Sequence, residues 1–258
     1  MENKVALITG ASGGIGEAFG HVLAADGHDL VLVARRDQEL HRVKGVITSK
    51  HPVAVHVIAL DLSETGAVDS LVSEMAGRNL IPAIVINNAG FGLAGLSVEL
   101  SRDEQLQMVD LNVRVLTDLT LRFLPAMVAR KSGGVINVAS IAGFMPGPMM
   151  AVYFATKNYV LSFSDALSSE LRGTGVTMTT LCPGTVKTAF QARAGQNERG
   201  STLSAFDVAS QGWAGFKTRR RVVVPGFLNQ IIAYGLRLTP RRISLPLIKQ
   251  VMGRRRAT

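Results

Sequence analysis

The sequence is poor in several things at once. It holds one cysteine, Cys182, so no disulfide can form within the chain. That fits a reducing compartment. A lone cysteine of this kind reads as a small buried residue before it reads as a nucleophile. The five histidines, at positions 21, 28, 41, 51 and 56, all fall in the first quarter and make no metal-ligand spacing, so no metal site is expected. No uninterrupted apolar run approaches the length of a membrane span. The opening MENKVALITG runs into a strand without signal-peptide architecture, and the expected location is cytoplasmic. Acidic residues are missing from one region only. Residues 208–258 carry 11 Lys/Arg and no Asp/Glu, whereas residues 1–207 carry 17 basic and 19 acidic side chains. The net charge of +9 therefore belongs to the last fifth of the chain, and the body is close to neutral.

What is present is a core and a rhythm. Of 258 residues, 47% are apolar, enough to bury a large α/β domain. Short apolar runs alternate with helical patterns: Lys4–Thr9, Asp29–Ala34, VAVHVIAL before Asp61, Ala83–Ile86, Gly134–Val138 and Thr177–Leu181. This alternation continues without a composition break to about residue 216 and predicts a Rossmann-type, doubly wound parallel sheet in a single domain. Residues 217–258 then read as a last strand and a basic helical tail. After the first strand comes Gly10-Ala11-Ser12-Gly13-Gly14-Ile15-Gly16, followed by a helix. Strand, glycine turn and helix form the context in which backbone amides approach a pyrophosphate. At the end of the second strand, where an NAD-specific fold would place an acid, stand Arg35 and Arg36. Two guanidiniums suit a ribose 2′-phosphate; solvated arginines opening a loop are the plain alternative. Asp37 reads as the N-cap of the next helix, and Ser63 as the start of the third. Asp61, at a strand end, could accept from an adenine amino group or could be an ordinary loop carboxylate. Ser101 and Glu104 form a capping-box pattern opening a long helix. Asn112 lies inside that helix, where propensity disfavours it and a surface position is the plain explanation.

The chemistry concentrates between Ser140 and Lys157. There are three tyrosines, and Tyr153 alone has a lysine four residues on; Tyr159 and Tyr234 are followed at that distance by Phe163 and Leu238. Four apart on a helix is one face, one turn up. A free phenol has a pKa of about 10, and an ammonium beside it would lower that value. Ser140, brought from the end of the fifth strand, could hold a carbonyl oxygen next to the phenol. The layout is a general acid/base site for carbonyl–alcohol interconversion. Phe144, Met145, Met149 and Met150 lie between Ser140 and Tyr153 and hint at an apolar substrate, although core packing also uses methionine. Residues 187–205 are polar and irregular, the kind of loop that closes over a site.

Taken together, TGASGGIG at 9–16, NNAG at 87–90, Asn112, Ser140, YxxxK at 153–157 and PG at 183–184 resemble the classical short-chain dehydrogenase/reductase family in order and spacing, over roughly residues 4–190. The resemblance implies an oxidoreductase with Tyr153 as proton donor, Lys157 tuning it and holding the nicotinamide ribose, Ser140 positioning the substrate oxygen and Asn112 ordering a relay water. It implies a cofactor-binding set of Gly10, Ser12, Gly14, Ile15, Gly16, Arg35, Asp61, Leu62, Asn88, Gly90, Tyr153, Lys157, Pro183, Gly184 and Thr188. Arg35 looks like the NADP-preferring form, so NADP(H) is the expected cofactor, with a small-molecule substrate and a homo-oligomeric assembly. The rival reading is a non-catalytic NADP-binding regulator, or a membrane-peripheral scaffold with the same fold.

The tail, 222–258, mixes apolar helical segments with arginine clusters. Three readings stand in order of preference. It packs beside the substrate pocket or another subunit, it lies on an anionic membrane surface, or it binds nucleic acid. The last is disfavoured because no nucleic-acid motif accompanies the charge.

Overall fold

In the computed structural model, which describes residues 4–186 and 203–256, the chain builds one seven-stranded sheet. The strands are β1 (Val5–Thr9), β2 (Asp29–Ala34), β3 (Val55–Ala59), β4 (Ile84–Asn87), β5 (Gly134–Val138), β6 (Thr177–Leu181) and β7 (Val222–Val223). Their order is β3-β2-β1-β4-β5-β6-β7, with every neighbour parallel. A parallel sheet covered on both faces needs strands that are apolar on both faces. VALIT and GVINV meet that need, and β5 is buried along its whole length. The doubly wound sheet expected from the alternation is therefore present, and the predicted spans of β2, β5 and β6 coincide with the observed ones.

One face is covered by α1 (Gly14–Ala25), α2 (Asp37–Thr48) and, later in the chain, the helix Ala205–Lys217. Its core joins Phe19, Leu23, Ile47, Trp213 and Phe216 to the inward residues of the sheet. The opposite face is covered by α3 (Ala67–Gly77), then α4 (Arg102–Val109) and α5 (Leu116–Arg130), then α6 (Ala151–Glu170). There Leu71, Met75, Leu119, Met127 and Leu167 fill the core. Numbering onward, Ala205–Lys217 is α7, Phe227–Leu238 is α8 and Arg241–Arg256 is α9. A third cluster is separate from both. It joins Phe144, Met145, Met150 and Phe154 to Val224, Ala233 and Ile248 from the tail.

Polar side chains tie the second layer to the sheet. Asn87 Nδ2 donates to Thr120 Oγ1 and to Asn137 Oδ1, both at 2.9 Å, and Asn137 Nδ2 donates to Ser164 Oγ at 2.9 Å. These buried bonds link β4, β5, α5 and α6, and each would be costly to leave half-made.

Three local expectations are corrected. Asp37 is the first residue of α2 rather than its cap; Arg36 occupies the cap position and makes no capping bond. The third helix begins at Ala67 and not at Ser63, because Gly66 adopts a left-handed conformation (φ 77°) just before it. Between α4 and α5 the long helix is not continuous α: Asp110–Val115 form a π turn. Ser101 does cap its start, accepting from the Glu104 N–H.

Phe19 is fully buried on α1, and its ring comes so close to Gly212 on α7 that a methyl there would lie 3.1 Å from it. Phe19→Ala should cost about 3–5 kcal/mol of stability. Urea unfolding will read this as a lower midpoint at unchanged slope.

Candidate active site

The carboxyl ends of the central strands open into a cavity of about 720 Å³. It lies where the strand order reverses, between β1 and β4, the place at which open α/β sheets gather their ligands. Its floor is the glycine turn. Thr9 Oγ1 accepts from the N–H groups of Asn88 and Ala89, each at 3.0 Å, and Asn88 Nδ2 donates to the carbonyls of Thr9 (3.0 Å) and Gly10 (3.3 Å). Gly10 is left-handed (φ 66°), and a Cβ there would meet Asn88 Nδ2 at 2.8 Å. At Gly16 a Cβ would run into the Gly10 carbonyl. Gly13 caps α1 without any side-chain bond, and Gly13, Gly14 and Ile15 line the cavity. The first amides of α1 thus have no intrahelical partner. Together with the helix dipole they form a cradle for an anion.

Beside this cradle, Arg36 Nη2 donates to Ser12 O (3.0 Å) and Ser12 Oγ (3.1 Å). Arg35 Nη1 pairs with Asp61 Oδ2 at 3.4 Å. Asp61 Oδ1 accepts from both the N–H (3.0 Å) and the hydroxyl (2.6 Å) of Ser63. Burial raises the Asp61 carboxyl, but the Ser63 hydrogen bonds and the Arg35 charge outweigh it and hold the pKa below its ordinary value. Ser63, expected to open a helix, instead fixes this carboxylate. Leu62 lines the cavity next to it.

At the other end, Ser140 follows β5 and caps the 3₁₀ turn Ile141–Phe144. Its Oγ accepts from Ala142 N (3.1 Å) and reaches the Pro183 carbonyl at 3.4 Å. It also hydrogen-bonds the Tyr153 phenol. Tyr153 and Lys157 share one face of α6. Lys157 Nζ donates to Val138 O at 2.8 Å and stands 5.9 Å from the centre of the Tyr153 ring. The predicted lowering of the phenol by this ammonium is overturned. Burial dominates and pushes Tyr153 up to about 12, with the Ser140 bond opposing it. The same burial brings Lys157 down to about 8. Desolvation penalises the charged form of each group, phenolate and ammonium alike. Cys182 lies nearby, and burial raises its thiol too, which fits an inert core residue.

Asn112 is not on the surface. It sits in the π turn with 0% exposure. Its Nδ2 donates to Phe91 O (2.9 Å) and Thr156 Oγ1 (3.1 Å), and its Oδ1 accepts from Phe91 N (3.1 Å). A Cβ on Gly90 would lie 2.7 Å from that Oδ1 and 3.8 Å from Lys157 Nζ. The mid-helix Asn and the glycine are therefore one packed unit, carried by a π turn of the kind frequent at functional sites. Gly184 lies against Asn229 of α8 just as tightly, and Pro183 and Gly184 line the cavity. Thr188, and most of the loop expected to close over the site, lie outside the described residues.

Sequence reasoning passed over several contributors. Asn158 Nδ2 donates to the carbonyls of Ala142, Met145 and Phe154 at 2.8–3.1 Å and braces the loop between Ser140 and Tyr153. An Asn next to Lys157 in the middle of a helix was the available signal. Thr156 receives the Asn112 amide. Ile232, Leu247, Ile248 and Val251 from α8 and α9 line the cavity. Of the three readings of the tail, packing beside the pocket is the one the structure displays.

The chain matches the family model for short chain dehydrogenases over residues 4–199. It is 38% identical to the sulfoacetaldehyde reductase of Chromohalobacter salexigens over 216 residues, 80% of this chain and 85% of the relative. Among solved structures it resembles a short-chain dehydrogenase from Sphingobium yanoikuyae in complex with NADPH. The TM-score is 0.83 at 30% identity, covering 90% of this chain and 91% of that one. A short chain dehydrogenase/reductase from Burkholderia phymatum in complex with NAD superposes with a TM-score of 0.82 at 26% identity, covering 92% of each chain. The fold, the glycine turn and the family match converge on one assignment: this chain is a member of the short-chain dehydrogenase/reductase family of nicotinamide-dependent oxidoreductases.

Proposed function

We propose that the protein interconverts an apolar carbonyl compound and its alcohol with NADP(H), using Tyr153 as the proton donor. The observation that carries this reading is the meeting of Ser140, Tyr153 and Lys157 in one cavity whose far end bears Arg35 and Arg36. The residues present fit a dinucleotide. The uncapped start of α1 suits the pyrophosphate, Gly10 and Gly90 leave room that a side chain would fill, and Asp61 and Leu62 stand where an adenine edge would be met. When bound, the reduced nicotinamide supplies a hydride to the carbonyl carbon. The relatives take either NADPH or NAD, so the preference here rests on the two arginines, each offering a fork of donors to a 2′-phosphate.

The chain's own groups handle the oxygen. Ser140 Oγ orients it beside the phenol, and Tyr153 gives it the proton. Negative charge grows there in the transition state, so donors already fixed in place act where they count. Lys157, anchored by Val138 O, stabilises the phenolate that proton transfer leaves behind. Asn112 acts through its neighbours, holding the Phe91 backbone and with it Gly90 against the lysine. Met145, Met150, Phe154, Ile232 and Ile248 make the substrate end apolar. Among the described lining residues Lys157 is the sole cation there, which favours an apolar carbonyl over a sulfonate-bearing one.

Tyr153→Phe keeps the ring and removes the proton. It should cut turnover by a factor on the order of 10²–10⁴ while NADPH affinity stays near wild type, read by reduced-nicotinamide absorbance and fluorescence titration. Lys157→Ala should reduce both. Tyr159→Phe, which loses only an exposed bond to Thr117, serves as control and should change little. Near-normal turnover in Tyr153→Phe would overturn the mechanism.

Arg35→Asp, with or without Arg36→Gln, should move cofactor preference from NADPH toward NADH, since attraction to the 2′-phosphate becomes repulsion. Wild-type protein that binds both reduced cofactors equally would defeat the NADP assignment.

A further inference from the structure

The outward face of α8 carries a run of apolar side chains. Phe227, Leu228 and Ile231 are 78%, 62% and 53% exposed, while Ala233 on the inner side is fully buried. On α9 the residues Ile243, Leu247 and Val251, spaced by four, form a second exposed apolar stripe. An uncovered patch of this kind marks a site of association. It is also continuous with the interior, because Leu247 and Val251 belong both to the exposed stripe and to the wall of the cavity.

The charge around this patch has one sign. Residues 208–258 carry 11 Lys/Arg and no acid. Arg237, Arg241, Arg242 and Lys249 are exposed, and none makes an ion pair among the described residues. A two-fold contact with a second copy would press this basic patch against itself, because such an interface is self-complementary by symmetry. A nucleic acid would meet the charge but leave the apolar stripes in water. An anionic bilayer satisfies both: its headgroups attract the arginines, and its acyl boundary takes up the apolar faces.

We propose that α8 and α9 dock the protein on an anionic membrane surface, with the mouth of the cavity opening toward the lipid. Docking depends on the tail's surface and not on the chemistry, so it is measured without turnover. The test is flotation of the full chain with vesicles of phosphatidylcholine containing phosphatidylglycerol, against phosphatidylcholine alone. The protein should float with the anionic vesicles, and raising salt from about 0.1 M to about 1 M should weaken binding. Arg241→Gln, Arg242→Gln and Lys249→Gln together should lower affinity by roughly fivefold per charge removed. Phe227→Ser with Ile231→Ser should lower it further, at unchanged thermal unfolding because both side chains are exposed. Leu228→Ser provides a milder second variant. Failure to float at low salt, or binding indifferent to the serine variants, overturns the proposal. So does light scattering in which those variants dissolve a dimer, since the face would then belong to a second copy. Loss of turnover in Tyr153→Phe leaves the flotation result untouched, so the two proposals fail separately.

Discussion

The close approach of α1 to the β1 turn and to the end of β4 is the constraint on which the site depends. Gly16 brings the helix against the Gly10 carbonyl, and the Asn88 amide holds that carbonyl and its predecessor. A side chain at Gly16 would force the helix away from the sheet. The uncapped amides would then no longer face the crevice between β1 and β4. The left-handed Gly10 makes the turn possible at little steric cost. Everything that the cavity presents at its cofactor end is referenced to this contact, including Arg36 through its two bonds to Ser12.

The other end is built by a different principle, the hydrogen bonding of buried polar side chains to backbone groups. Asn112 completes the Phe91 backbone and meets Thr156, Asn158 gathers three carbonyls, and Lys157 is tied to Val138 O. These bonds fix the segments that carry Ser140, Tyr153 and Lys157. Burial has a further effect. It raises the phenol, which stays protonated, and lowers the ammonium to about 8, which leaves Lys157 mostly charged near neutral pH. The four-residue spacing puts the pair on one face, but the medium decides the direction of their shifts.

The tail links the site to the outside. Val224, Ala233 and Ile248 join the cluster of Phe144, Met145 and Phe154, so the helices after β7 form a wall of the cavity and are not an appendage. Their inner side is spent on that packing, which leaves Phe227, Leu228, Ile231 and Ile243 exposed on the outer side.

Much of this protein was legible in the order of its residues. The strands read as apolar runs because a parallel sheet buries both faces. The glycine turn read as a phosphate cradle because glycine lets the backbone turn tightly and approach a pyrophosphate, and Tyr153 and Lys157 paired because a helix has a fixed period. These are local properties, and local sequence determines them. Tertiary structure alone decided the fate of Asn112 and Tyr153. Asn112 looked like a surface residue until the π turn carried it inward to Phe91, a partner 21 positions away. Ser63 and Asp37 looked like helix starts, but Ser63 bonds Asp61 in a local turn and Arg36 takes the cap position, so these two corrections concern boundaries and not tertiary contacts. Tyr153 looked acidified until burial outweighed the Ser140 hydrogen bond and raised the phenol. The Asn112 and Tyr153 outcomes depend on which distant groups arrive beside a side chain and how much water they exclude, and neither quantity is written in the neighbouring residues.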